Sequence, residues 1–146
     1  MVTLRLNDPT VRQFLKFLVV GVMNSLVTLV VIFICKSEIL LNINEWVSNG
    51  IGYVAGVINS FVWNRQWVFK SKNGPMKEAL KFGIGFLLCY GIQLLVTWFL
   101  TVRMYFGMME WQLLGMTFTG YAVATLFGMC VYTISNFIYN RVVTFK

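Results

Sequence analysis

Four long stretches of this chain carry no charged residue: 17–35, 46–64, 82–102 and 111–140. Each is at least as long as the roughly 18 apolar residues that signal a membrane-spanning helix. The pattern predicts spans over about 14–35, 46–64 and 81–102, with a fourth inside 113–140. Small and polar residues within them recur at helical spacing and so share a face. Asn24 and Thr28 are four apart in the first span. Asn49, Gly52, Gly56, Asn59 and Trp63 form a stripe in the second, and Gly85, Cys89, Gln93 and Thr97 in the third. In the fourth, Gly120, Ala124, Gly128, Tyr132, Asn136 and Asn140 are each four apart. Gly52-x-x-x-Gly56 is a close-approach signature between packed membrane helices.

The ends of the second and fourth spans repeat one another. Residues 61–70 read Phe-Val-Trp-Asn-Arg-Gln-Trp-Val-Phe-Lys, and residues 137–146 read Phe-Ile-Tyr-Asn-Arg-Val-Val-Thr-Phe-Lys. Half of the ten paired positions are identical, at a constant offset of 76. A weaker echo pairs Phe14-Leu15-Lys16-Phe17 with Ala79-Leu80-Lys81-Phe82. Asn73-Gly74-Pro75 is the clearest turn signal and separates the copies. The expected fold is an all-α membrane protein with four transmembrane helices, built as two helical hairpins over 12–72 and 77–146. Each copy has an even number of spans, so the two form a parallel repeat.

Composition agrees with a membrane location. The chain is 58% hydrophobic and 12% charged, against about 25% charged for a soluble domain. Of the cations, Arg5, Arg12, Lys16, Arg65, Lys70, Lys72, Lys77, Lys81, Arg141 and Lys146 fall on one side of the spans, and Lys36 and Arg103 on the other. The positive-inside bias then places both termini and the central loop in the cytoplasm. Most of these cations read as topology signals and contacts to anionic headgroups. No domain is left over to present a basic face to nucleic acid. The loop over 103–112, rich in Met and aromatic residues, reads as an interfacial segment.

Catalytic chemistry is poorly supplied. Histidine is absent, and Cys35, Cys89 and Cys130 sit in apolar runs without ligand spacing, so neither a metal site nor a cofactor is expected. The acids Asp8, Glu38, Glu45, Glu78 and Glu110 all lie outside the spans. That weakens a proton-coupled small-solute exporter, which needs a titratable carboxylate at depth. What remains is the duplicated cluster Asn64-Arg65 and Asn140-Arg141 with Trp63, Trp67, Tyr139, Phe69 and Phe145 around it. Arginine suits bidentate phosphate binding, amides bond sugar hydroxyls, and aromatic faces stack on sugar rings. The same residues also serve as ordinary interfacial anchors. Asn24 and Gln93 read first as interhelical hydrogen-bonding groups and second as polar stations at depth.

These residues resemble the GtrA-like family over about residues 12–146. The resemblance rests on Phe17-Leu18-Val19-Val20-Gly21-Val22-Met23-Asn24, on Asn64-Arg65-Gln66-Trp67-Val68-Phe69, and on Ser135-Asn136-Phe137 with Asn140-Arg141 through Phe145. The first copy departs from the Asn-Phe pattern: Ser60 precedes Phe61, and the amide is Asn59. The resemblance implies a bacterial inner-membrane protein that moves a polyprenyl-phosphate-linked sugar between leaflets for surface-polysaccharide or teichoic-acid glycosylation. A membrane glycosyltransferase would supply that lipid. On this reading Arg65 and Arg141, assisted by Lys16 and Lys81, hold the phosphate. Asn64, Asn140, Asn136 and Asn59 bond sugar hydroxyls, with Trp63 and Tyr139 as stacking partners and Asn24 and Gln93 as stations at depth. Four short helices enclose little, so a homo-oligomer is expected, driven by the lipid gradient. The competing readings are a non-transporting accessory subunit of a glycosyltransferase and a small-solute exporter.

Overall fold

The computed structural model describes residues 8–37, 41, 43–104, 108, 110–113 and 116–146. The expectations that involve Arg5, Glu38, Tyr105, Phe106 and Met109, which include most of the interfacial loop, lie outside the described residues. The chain forms two compact units, Met1–Asn73 with Phe145, and Gly74–Thr144 with Lys146.

In the first unit, α1 spans Pro9–Lys36. Asp8 caps it by accepting a 2.8 Å hydrogen bond from the Thr10 amide, and Pro9 sits where its missing N–H costs nothing. At 1.5 Å per residue these 28 residues reach about 42 Å, beyond the roughly 30 Å hydrocarbon core. The helix therefore absorbs the lead-in expected to lie ahead of residue 14. α2 spans Glu45–Trp63 and is capped by the Asn44 side chain. It packs antiparallel to α1, because the contact numbers run in opposite directions. Gly52 lies against Ile32 and the Thr28 carbonyl, and Gly56 against the Thr28 hydroxyl. Asn59 Nδ2 donates to Asn24 Oδ1 at 2.7 Å. α2 then widens into a π-helical turn, Asn64–Val68.

The second unit opens with α3, Pro75–Trp98, which continues into a π-helical turn at Phe99–Arg103. An antiparallel ribbon follows, β1 Glu110–Leu113 against β2 Met116–Thr119, with Glu110 opposite Thr119. Among the described residues this short ribbon is the one departure from an otherwise helical fold. Thr117, Phe118 and Thr119 favour a pleated strand, and Thr119 then caps the following helix by accepting from the Ala122 amide at 3.3 Å. So α4 begins at Gly120, runs to Tyr139, and ends in a third π-helical turn, Asn140–Thr144. Gly128 lies against the Thr97 hydroxyl and the Gln93 carbonyl, and Gly85 against the Tyr139 ring.

These internal contacts correspond between the units. Gly52 plus 76 is Gly128, while Thr28 and Ile32 plus 65 are Gln93 and Thr97. Both hairpins are therefore closed by the same glycine at the same register.

Among the described residues, three helices are long and apolar enough to cross a membrane: Pro9–Lys36, Pro75–Arg103 and Gly120–Thr144. α2, with 19 residues, is not among them. The protein is a multi-pass membrane protein whose large apolar side chains face outward, Phe33 at 74% exposure for example. The buried positions are largely small or polar, such as Ser48, Gly52 and Gly56 on α2, and Gly120, Ala124 and Gly128 on α4. Helices in lipid gain nothing by hiding Leu from Leu, so contact surfaces use small residues that let backbones approach.

A side chain at either seam glycine should therefore destabilise its hairpin. A Cβ on Gly128 would sit 2.5 Å from Thr97 Oγ1, and one on Gly52 2.5 Å from Ile32 Cγ1. Gly128→Val and Gly52→Val should each cost about 1–3 kcal/mol, read as a lowered thermal midpoint in detergent. Gly83→Ala, where a Cβ meets nothing within 4 Å, should leave the midpoint unchanged.

Candidate functional site

The candidate residues gather where the second helix of each hairpin turns π-helical. In the first unit, the Phe69 amide donates back to the Asn64 carbonyl at 2.9 Å, five residues earlier. This wider turn re-aims the side chains that follow it, and such turns recur at functional sites. Lys70 then adopts a left-handed backbone (φ 52°), and the Ser71 amide donates to the Arg65 carbonyl at 2.9 Å. Asn64 is 1% exposed. Its Nδ2 donates to the Ser60 carbonyl at 2.8 Å and to Ser60 Oγ at 3.2 Å. Its Oδ1 is buried with no donor.

Around that turn, Lys16 reaches across from α1. Its Nζ stands 5.1 Å from the centre of the Trp67 ring, a cation–π distance. Trp63 meets the same ring edge-on at 6.4 Å. Arg65 is half-buried, and its Nη2 donates to the Asn73 carbonyl at 2.6 Å. Phe145 stacks on Phe69 at 5.1 Å and tilts against Phe61 at 6.1 Å.

The second unit repeats the plan with different details. Tyr132, Asn136 and Asn140 lie on one line of α4. Asn136 Nδ2 donates to the Tyr132 hydroxyl at 3.4 Å, and Asn140 Nδ2 to Asn136 Oδ1 at 3.0 Å. Asn140 is fully buried, and its Oδ1, like that of Asn64, has no donor; nor does the hydroxyl of buried Thr144. A sealed polar atom without a partner costs roughly 1–3 kcal/mol. Lys81 crosses from α3, and its Nζ donates to the Val143 carbonyl at 3.1 Å. The pairs Lys16 with Trp67 and Lys81 with Val143 stand at the same offsets, 65 and 76, as the glycine seams. Arg141 is exposed.

A family model described as "GtrA/DPMS, transmembrane domain" matches residues 16–145. The chain belongs to this family. One curated relative, "Uncharacterized membrane protein YngA" of Bacillus subtilis (strain 168), is 34% identical over 87 residues. The aligned segment covers 53% of this chain and 57% of that protein. The chain thus spans just over half the length of the curated relative it matches.

Seen within this GtrA/DPMS domain, the residues expected at the site separate into groups. Asn64, Arg65, Lys16 and Trp63 gather at the end of the first hairpin; Asn136, Tyr139, Asn140, Arg141 and Lys81 gather at the end of the second. Asn24 and Asn59 lie deeper and satisfy one another at 2.7 Å, the interhelical bond that was the first reading of Asn24. Gln93 is half-buried against Gly128. Three features were not singled out. Trp67 was only one of several surrounding aromatics, yet it carries the Lys16 contact. Thr144 is the i+4 neighbour of Asn140, a spacing that could have flagged it. Glu78, read as one more acid outside the spans, is 2% exposed in the first turn of α3. There it faces the positive end of the helix dipole, and Pro75 three residues before it was the available signal.

The Asn24–Asn59 bond should behave as a coupled pair. Asn24→Ala and Asn59→Ala should destabilise non-additively, with a coupling of about 0.6 kcal/mol and at most about 1.7 kcal/mol. A double-mutant cycle on unfolding in detergent or bicelles measures it, and additive effects would show that the two amides act separately.

Proposed function

We propose that this protein moves a polyprenyl-phosphate-linked sugar between the leaflets of a bacterial inner membrane and performs no catalysis. The observation that carries this reading is the matched pair of helix ends. Each sets a donor-poor buried amide oxygen, Asn64 Oδ1 or Asn140 Oδ1, beside a lysine that crosses from the preceding helix and an arginine next in sequence. Cations of this kind attract a phosphate at headgroup depth. Acceptor oxygens lacking donors fit the hydroxyls of a sugar. Membership of the GtrA/DPMS family supports a lipid-linked sugar as the general class of cargo.

In this reading α2 is a fourth span, and the two hairpins form a parallel repeat with their Asn-Arg ends facing the cytoplasm. The correspondence of seam contacts at constant offsets supports the repeat, and the one-sided distribution of cations supports the orientation. The termini are then cytoplasmic. Homo-oligomerisation would complete the enclosure of the polar head, and a membrane glycosyltransferase would make the lipid on the cytoplasmic side. The Asn24–Asn59 pair and Gln93 offer polar groups along the route while the tail remains in lipid.

Purified protein in liposomes with a fluorescent polyprenyl-phosphate hexose tests this. The labelled lipid should exchange between leaflets within minutes, and remain trapped in protein-free vesicles. The double variant Arg65→Gln with Arg141→Gln should lose at least tenfold in rate while keeping its thermal midpoint. No exchange by the wild-type protein, together with stable co-purification of a glycosyltransferase, would favour the accessory role instead.

A further inference from the structure

The two helix ends match in outline but not in chemistry. At the position of Thr144 the first unit has Val68, whose side chain lacks any polar atom; at the position of Arg141 it has Arg65, whose guanidinium donates to the Asn73 carbonyl at 2.6 Å. Arg65 thus clasps the linker that follows its own turn. Arg141 is exposed, and two buried oxygens without donors, Asn140 Oδ1 and Thr144 Oγ1, lie in the same π-helical turn. Lys81 joins that turn by donating to the Val143 carbonyl at 3.1 Å.

Resting on the reading of a phospho-sugar lipid as cargo, we propose that the two ends are functionally unequal. The second unit captures the headgroup, and Thr144 is a specificity-determining residue that, with Asn140, reads the sugar. The first unit supplies scaffold through Arg65. The chemistry separates the contributions. Arg141 and Lys81 are pure donors and serve the phosphate, whatever it carries. Asn140 Oδ1 is a pure acceptor and answers only to a donor such as a sugar hydroxyl; the Thr144 hydroxyl, buried beside it in the same turn, can accept from such a hydroxyl as well as donate. The positive charge of Lys81 and Arg141 beside them argues against a metal cation as the missing partner. Both oxygens are sealed in this conformation, so the head reaches them by opening the turn. A π-helical turn is suited to that, because a one-residue shift of its hydrogen bonds regenerates an α-turn and rotates the side chains beyond it.

The test uses the full chain in lipid nanodiscs and two probes, a synthetic polyprenyl-phosphate hexose and the same polyprenyl phosphate without sugar. Wild type should prefer the sugared lipid. Thr144→Val, which installs the first unit's residue with little change in volume, should weaken binding of the sugared lipid about three- to tenfold and leave the sugar-free lipid unchanged, the scale of one lost hydrogen bond. Thr144→Ser should restore the preference, and Val68→Thr should not enlarge it. Arg141→Gln should weaken both lipids. Arg65→Gln should speed proteolysis of the linker over 69–74, where Arg65 donates to the Asn73 carbonyl, and should weaken both lipids less than Arg141→Gln does. The thermal midpoint of Thr144→Val should stay level or rise, because an unpaired buried hydroxyl is removed.

Unchanged sugared-lipid binding by Thr144→Val, equal loss for both lipids, or a lowered midpoint would overturn the specificity role. Equal effects of Arg65→Gln and Arg141→Gln would overturn the inequality of the two ends. If wild type binds neither lipid, the cargo assignment fails along with this proposal; if it binds and the variants behave alike, only this proposal fails.

Discussion

Backbone approach at two glycine seams is the constraint on which the rest depends. Lipid tails are as apolar as leucine, so helices in a membrane are held by van der Waals contact and a few polar bonds rather than by exclusion of water. The first hairpin meets through Gly52 and Gly56 on α2, the second through Gly128 on α4 and Gly85 on α3. Because nothing larger fits, the register between partners is fixed to within a residue. That register brings Asn59 opposite Asn24, Lys16 over Trp67 and Lys81 onto the Val143 carbonyl. A one-residue slip along either seam would rotate these residues onto different faces and dissolve all three contacts.

Farther along each hairpin the design changes from tight to unfinished. At the seam, the amides of Asn24 and Asn59 pair with one another. At the π-helical turns, Asn64, Asn140 and Thr144 are buried with an oxygen each lacking a donor. Native interiors rarely leave such atoms unpaired. Their cost falls on turns bonded in the rarer i to i+5 pattern. A tight seam and buried oxygens without donors at the ends would suit the proposed carrier of a bulky polar head.

Divergence between the halves follows from what surrounds each turn. The first unit continues into a linker, and Arg65 reaches the Asn73 carbonyl within it. In the second unit Arg141 is exposed. An identical Asn-Arg pair therefore stands in two environments. Val68 and Thr144 add a chemical difference to this positional one.

Local rules made much of the architecture readable. Uncharged runs located the helices, because burying charge in hydrocarbon is costly. Four-residue spacing of Gly120, Ala124, Gly128, Asn136 and Asn140 gave the buried line of α4, because a helix returns to the same face about every 3.6 residues. The offset of 76 gave the equivalence of the two ends, and Asp8-Pro9-Thr10 gave the start of α1. Tertiary structure decided what local spacing does not encode. The ribbon over 110–119 depends on pairing between strands. The π-helical turns depend on one residue more or less between hydrogen-bond partners. The partner of Asn24, the burial of Glu78 and the missing donors of Asn64, Asn140 and Thr144 depend on which helix passes alongside. Composition and period set which face a helix turns inward; only the packed neighbour sets whether a polar atom on that face finds a partner.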